Sequence, residues 1–486
     1  MLFIESRIAD AAIDAPARIA LLDALQDRGL VALIRSARLY CFEQALSGTA
    51  ARAGELERIV SAWADKDGDA ALVRGDIFCS DDFAHFLIFG DADEASPLRA
   101  GIIYGADTIE PAQKLEAFCR SVREALEESL LKAKTPATAA EGSLPPLVEW
   151  RVRGEQSSER LARFAGIERG AGAGATQSGG YAAQTAGRTR VVEILEDAGA
   201  RQFLQRLNEA HAVGRVAERP SGGGAAHDAE RESMVARLAG AGLVRREVLV
   251  SCRKDGRALF RLPSSDALAV MTASSAVCSE CGSALADERA EELLTPTQVA
   301  WSMLKDASWM VSSLRAVLSA LGIQETKVAV RPASAEMEAQ MLADVCGEEF
   351  LFVLRDGEFN ASDVRRAFDL ESEVNASHLV VVATGKIQDE ARVRLREHAR
   401  RRSRTGGEVE VILIEGMERA AVELRHAFER VSQKALTREL FELDTSLGFD
   451  AGQMIAARFR LMQKSGPVKD LVASAAGAHA GSAREI

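Results

Sequence analysis

Residues Glu348–Asp356 read Glu-Glu-Phe-Leu-Phe-Val-Leu-Arg-Asp. A short apolar run between charged ends, with aromatic and β-branched members, predicts a β-strand over 349–355. Working outward, strands are expected at 326–331 and 340–346 before it and at 378–384 and 408–414 after it. Helical spacing covers 361–374, 387–403 and 415–435. One amphipathic helical region, 297–322, comes first, with Trp301, Leu304, Trp309, Leu314, Val317, Leu318 and Leu321 on its buried side. From 297 the order is therefore helix–β–β–β–helix–β, then a helix, a strand and a last helix.

That order, with the wording of two strands, resembles the restriction-endonuclease-like domains of the PD-(D/E)xK type over 297–440. In such domains an Asp opens the second strand and Glu-x-Lys or Asp-x-Lys follows on the third. The carboxylates bind Mg²⁺ and the Lys positions the attacking water. Here the second strand reads Ala339-Gln340-Met341-Leu342-Ala343-Asp344-Val345, with Gln340 at the Asp position and Glu338 nearby. Val353-Leu354-Arg355 stands in place of Glu-x-Lys. Valine cannot hold a divalent cation, and Arg355 stays cationic at every accessible pH. The resemblance implies a nuclease-shaped scaffold without its metal triad, a pseudoenzyme. An alternative keeps activity through a rearranged cluster of Glu338, Asp344 and Asp356. Strand alternation puts Asp356 on the face opposite Arg355.

Upstream, helices are expected at Arg190–Ala198, Arg201–Ala212 and Arg231–Ala239. Gly240-Ala241-Gly242 then breaks the helix, and two strand runs follow, Leu243–Val250 and Arg257–Leu262, joined by the turn 253–256. Three helices and a hairpin resemble a winged helix over 189–263. Residues 252–296 read as a degenerate zinc ribbon. Cys278-Ser279-Glu280-Cys281-Gly282 has the form of a zinc knuckle, two thiolates separated by two residues with Gly after the second. Cys252-Arg253-Lys254-Asp255-Gly256 repeats the spacing with Asp in place of the second Cys. Cys252, Asp255, Cys278 and Cys281 are thus the candidate Zn ligands. Zinc accepts such a sulfur and carboxylate set, although structural sites prefer S and N. The competing reading is a decayed ribbon that keeps its turns and holds no metal.

Residues 1–134 read as an α+β module of the kind used for sensing or dimerisation. Helical spacing runs through Ile8–Leu25 and Leu56–Trp63, strand runs through Ala71–Phe78, Phe83–Phe89 and Ala100–Tyr104, and a helix from Pro111 to Leu131. A linker-rich segment, 135–188, follows. Its Gly/Ala-rich stretch 169–188 cannot bury a core, and Gly170, Gly172 and Gly174 lack the strand that precedes a phosphate loop. The tail 466–486 is small and polar and is expected to be disordered. The fold class expected is multidomain α/β and α+β.

Composition bounds the function. The 486 residues are 47% hydrophobic and 27% charged, a globular balance, with a net charge of −12. That acidity argues against tight non-specific nucleic-acid binding and leaves only local basic faces for phosphate contact. The candidates are Arg253, Lys254 and Arg257 in the wing, and Arg396, Arg400 and Arg401 in the Arg-rich stretch 392–404. The competing roles for that stretch are a solvated helix face and a dock for an acidic partner. The third helix of the winged region offers only Arg231 and Arg237 amid acids, which favours protein docking over base reading. Seven histidines are scattered, none pairing at ligand spacing, and His85 reads as a satisfied strand residue. Walker, Gly-x-Ser-x-Gly and His-Glu-x-x-His motifs are absent.

No run of about 18 apolar residues occurs, so no membrane span is expected. Glu5 and Asp10 interrupt a secretory layout, and the seven cysteines are mostly scattered, as in a reduced cytoplasmic protein. The expectation is a non-catalytic nucleic-acid-associated regulator or adaptor in a DNA-handling or phage-defence assembly, with other protein subunits and DNA as partners. The alternatives are an active Mg-dependent nuclease and a purely structural interaction scaffold.

Overall fold

Leu2–Ala9 pairs antiparallel with Leu98–Gly105 along its whole length, Glu5 opposite Ile102. This long-range pairing takes Ile8 and Ala9 into a strand, so the helix expected from Ile8 to Leu25 starts only at Ala15. The computed structural model describes residues 1–11, 13–46, 50–64, 72–90, 98–133, 148–152, 155–166, 185–212, 225–274, 276–331, 337–404, 409–447 and 450–464. The expected tail 466–486 and most of the expected linker 135–188 lie outside these residues.

The elements, in chain order, begin with β1 (Leu2–Ala9), α1 (Ala15–Asp27), α2 (Leu33–Leu46), α3 (Ala50–Ala64), β2 (Gly75–Cys79), β3 (Phe83–Ile88), β4 (Leu98–Gly105), α4 (Pro111–Ala133) and β5 (Arg151–Val152). Then come α5 (Glu155–Phe164), α6 (Thr185–Glu196), α7 (Ala198–Ala212), α8 (Ala225–Gly240), β6 (Val244–Ser251), β7 (Ala258–Leu262), α9 (Ser265–Ala273) and β8 (Arg289–Pro296). The last part holds α10 (Gln298–Lys305), α11 (Ser308–Ala320), β9 (Val328–Arg331), β10 (Glu338–Val345), β11 (Glu348–Arg355) and α12 (Ala361–Val374). It closes with β12 (His378–Ala383), α13 (Asp389–Arg404), β13 (Glu410–Glu415), α14 (Ala420–Leu447) and α15 (Ala451–Lys464). Mixed helices and sheets make this a multidomain α/β protein. No helix among the described residues is long and apolar enough to cross a membrane.

The chain divides into two units, each discontinuous. The first comprises Met1–Ser158, Val345–Glu348 and Leu424–Ile486; the second comprises Glu159–Asp344 and Glu349–Glu423. In the first, an antiparallel sheet runs in the order β2-β3-β4-β1-β5. Phe118 of α4 packs on one face, its ring 5.5 Å from Phe78 and 4.3 Å from His85. On the other face Ile77, Phe86, Ile88 and Ile103 meet Leu436, Leu440 and Leu443 of α14 and Ile455 and Phe459 of α15. The N-terminal module is therefore not closed at residue 134. Helix α14 extends well beyond the expected end near 435, because its leucine stripe has an apolar sheet to cover.

The second unit takes in the end of α5, then three helices, α6 to α8, and an antiparallel sheet in the order β7-β6-β8. Strand β6 pairs with β8 over its full length, Val244 opposite Pro296 and Ser251 opposite Arg289. Strand β7 pairs only with its distal half. The expected hairpin partner of β6 is thus the shorter of two, and β8 carries no strong sequence signature (Arg289-Ala290-Glu291-Glu292-Leu293). The expected single helix 297–322 is two. Asp306 Oδ1 accepts from Ser308 N at 2.9 Å, and Ala307 adopts a left-handed conformation at φ 51° between α10 and α11. An Asp side chain competing for backbone donors breaks the helix there.

The main sheet runs β13-β12-β11-β10-β9. Strands β9 and β10 are antiparallel; β11, β12 and β13 are parallel, with Val353 opposite Val381. The turn between β10 and β11 is Cys346-Gly347, both at positive φ (54° and 81°), the geometry of a tight two-residue hairpin loop. One face packs Leu351, Val353, Leu379 and Val381 against Val364 and Ala367 of α12 and Ala391 and Leu395 of α13. Helix α12 opens with a capping box: Asn360 accepts from Ser362 N and Asp363 N, and Asp363 accepts from Asn360 N.

Candidate functional site

Two turns of the same construction meet at the end of β6. In the first, Cys252 N donates to Arg257 O and Gly256 N donates to Cys252 O, both at 2.8 Å. In the second, Cys278 N donates to Ser283 O at 2.7 Å and Gly282 N to Cys278 O at 2.9 Å. Gly256 and Gly282 have φ of 71° and 73°, a region that glycine enters without a Cβ penalty. The repeated Cys-x-x-(Asp/Cys)-Gly wording thus folds as two matching knuckles.

Cys252, Cys278, Cys281 and Glu288 place one ligand atom each within 4.8 Å of one another. No other such group of three or more His, Cys, Asp or Glu occurs among the described residues. Three of the four residues named from the sequence converge. The fourth corner of this group is Glu288. It arrives through strand register: Ser251 pairs with Arg289, so Cys252 and Glu288 stand on the next rung. Glu288 Oε1 lies 3.0 Å from Cys281 Sγ, and its other oxygen accepts from Arg253 N. Asp255 stands at the flank, exposed, with Oδ1 accepting from Arg257 N at 3.0 Å and its side chain hydrogen-bonded with Cys252.

The electrostatics follow the contacts. The hydrogen bond with Ser283 is the main cause that holds the Cys281 thiol below its ordinary range. The hydrogen bond with Cys281 does the same for the Glu288 carboxyl. The backbone N–H of Asp255 pulls the Cys252 thiol down, but burial and the Asp255 and Cys281 side chains outweigh it and push it up to about 11. The cysteines are soft donors and the carboxylate a hard one, a set that suits a tetrahedral divalent ion. All seven cysteines are free of disulfides.

On the main sheet, the acids named from the sequence do not gather. Glu338, at the start of β10, is 2% exposed and accepts from Arg366 Nη2 at 3.0 Å, from Arg366 Nε at 3.1 Å and from Gln340 Nε2 at 3.1 Å. Arg366 also reaches Asp363. All of this is on the α12 side. Asp356 follows β11 and accepts from Trp309 Nε1 of α11 at 3.2 Å and from Thr384 Oγ1 at 2.9 Å. Arg201 Nε of α7 lies 3.3 Å from its Oδ1, with the guanidinium also 4.7 Å above the Trp309 ring. Asp356 is thus held by the α7 and α11 side. Asp344 sits at the other end of β10, and Val353 is in the apolar cluster with Leu351 and Val381.

The basic candidates divide by surroundings. Arg253, Lys254 and Arg257 are exposed on the first knuckle, with Arg257 Nη1 3.2 Å from Glu280. On α13, Arg392 turns in to Glu415 and Arg402 to the fully buried Glu371, which His398 also contacts at 2.9 Å. Arg401 approaches Glu397 at 3.6 Å. Arg396, Arg400 and Arg404 are exposed at i, i+4, i+8, one ridge of the helix. Comparison with protein families, curated proteins and solved structures finds no match for this chain.

Proposed function

We propose that the protein is a non-catalytic nucleic-acid-associated regulator or adaptor, acting in the cytoplasm with other protein subunits in a DNA-handling or defence assembly. In this reading the second unit is a winged helix joined to a restriction-endonuclease-like domain that has lost its chemistry. The observation that carries it is the divergence of Glu338 and Asp356. A two-carboxylate Mg²⁺ site needs an oxygen of each acid within about 2.0–2.1 Å of the same ion. Here each carboxylate has a guanidinium beside it, Arg366 for one and Arg201 for the other, and they face different helix layers. A fixed cation on each acid leaves no reason to recruit a mobile one. The helix–β–β–β–helix–β order of α11 to β12 supports the same reading.

Contact with DNA falls to the exposed ridge of α13 and to the first knuckle, since the acidic remainder repels phosphate. The full chain incubated with single- and double-stranded DNA and Mg²⁺ or Mn²⁺ is expected to leave it uncut. It is expected to bind DNA weakly and with steep salt dependence. Arg396→Glu combined with Arg400→Glu is expected to reduce the slope of log affinity against log salt by about 2. Metal-dependent cleavage abolished by Glu338→Gln or Asp356→Asn overturns the pseudoenzyme. Binding that ignores salt and the double variant reduces the protein to an interaction scaffold.

A further inference from the structure

The segment between β6 and β8 is too poor in apolar side chains to hold itself together. Among its described residues only Cys252, Cys278 and Leu285 are buried hydrophobics, and α9 buries none of its side chains. Leu259, Phe260 and Met271 add only partial cover. A cluster of this size cannot offset the ordering entropy of the chain that makes it. Yet both knuckles aim their sulfurs at one point, and the β6–β8 register delivers a carboxylate to the same point.

We infer that Cys252, Cys278, Cys281 and Glu288 bind one structural Zn²⁺ as a tetrahedral three-sulfur, one-oxygen site, and that this ion clamps the tip of the wing. Each thiol gives its proton to solvent as it takes the metal. The four ligands fill the tetrahedron and leave no open position for catalysis. Glu288 is the ligand rather than Asp255, because its oxygen lies against Cys281 while Arg253 N holds its other oxygen and fixes its rotamer. Asp255, in the place of a knuckle's second cysteine, is a positioning residue whose carboxylate closes the turn through Arg257 N. This inference stands apart from the nuclease reading; a DNA-cleaving protein would carry the same clamp.

The test uses the full chain, stripped with a chelator and titrated with Zn²⁺ or Co²⁺ alone. Expected are about one ion per chain, and a Co²⁺ spectrum with intense sulfur-to-metal charge transfer and tetrahedral ligand-field bands. Cys281→Ser is expected to abolish stoichiometric binding. Glu288→Gln keeps an oxygen for Arg253 N, and should weaken affinity by roughly tenfold or more and shift the ligand-field bands. Asp255→Asn keeps an oxygen for Arg257 N and should retain stoichiometric binding, with affinity lowered by no more than the roughly 10–100-fold of a lost outer hydrogen-bond partner. Hydrogen exchange should quicken across 252–288 on metal removal and remain unchanged in β11 and β12. A chain that takes up no stoichiometric metal overturns the site. So does a reversal in which Asp255→Asn loses the metal and Glu288→Gln keeps it.

Discussion

Arg366 donates to Glu338 from two nitrogens and to Asp363 from one, and both carboxylates are almost wholly buried. The Arg366 side chain is 38% exposed, so it spans the boundary between the α12 surface and the sheet. Water outside solvates part of the cation, and the cation in turn takes the place of water for the acids. Removing a partner from such a pair costs far more than the pair contributes net, because the remaining charge stays buried alone. Arg366→Met is therefore expected to lower unfolding stability by about 3 kcal/mol. Adding Glu338→Gln to that variant should recover about 1–2 kcal/mol, since one of the two stranded charges is gone. Urea unfolding of the four members of the cycle measures this. Additive losses would mean that the two side chains are not coupled, and the fixed-cation argument at this acid would go with them.

Strands β2 and β3 carry two buried groups that titrate in opposite senses. Asp76, fully buried on β2, accepts from Ile34 N, Arg35 N and Ile77 N, each at 2.8 Å, and so anchors the start of α2. Burial nevertheless lifts its carboxyl to about 6. His85 on β3 is stacked on Phe118, and burial drops its imidazole to about 4. Between pH 4 and 6 the folded Asp76 holds a proton that the unfolded one has lost, so its contribution falls as pH rises. His85 is neutral when folded and charged when unfolded, so its contribution rises with pH. Each slope is about 1.4 kcal/mol per pH unit, and they nearly cancel. Relative to the wild type, Asp76→Asn should therefore lose stability on acidification from pH 6 to 4, and His85→Phe should gain it. Hydrogen exchange in β2 to β4, corrected for intrinsic pH dependence, reads both; equal slopes in all three proteins would refute the opposition. Elements of this kind were legible from sequence to very different degrees. Helix α12 appears at its expected residues, because an apolar stripe and the Asn360/Asp363 capping box are local signals. Strands β11 and β12 announced themselves as apolar runs. Strand β1 did not, because its partner β4 lies far along the chain. In the same way the cysteines were legible from their spacing, whereas Glu288 joins them only through the β6–β8 register, which no local pattern encodes.

At the scale of the whole molecule, the chain leaves its first unit, builds the second and returns, so residues at opposite ends of the sequence share one core. The first half of α14 was readable from its periodicity, to about residue 435, but not its continuation, not α15, and not the surface the two cover. Leu436, Leu440, Leu443, Ile455 and Phe459 meet the sheet face formed by Ile77, Phe86, Ile88 and Ile103. Arg99 of β4 adds ion pairs with Glu439 and Glu442. Burying five large apolar side chains is worth about 1.5–3 kcal/mol each. That total is comparable with the whole net stability of a typical domain, about 5–15 kcal/mol. A chain ending at Glu423 should therefore lose the first unit's cooperative unfolding transition and expose β2 to β4 to rapid hydrogen exchange and proteolysis. The second unit keeps its own apolar cluster between the sheet and α12–α13, so β11 and β12 should remain protected in the same sample. Supplying residues 424–464 as a separate peptide should restore protection to β2–β4, as a missing core element returned in trans. Full protection of β2–β4 in the truncated chain, without the peptide, would show that the C-terminal helices are an accessory to that sheet and not half of its core.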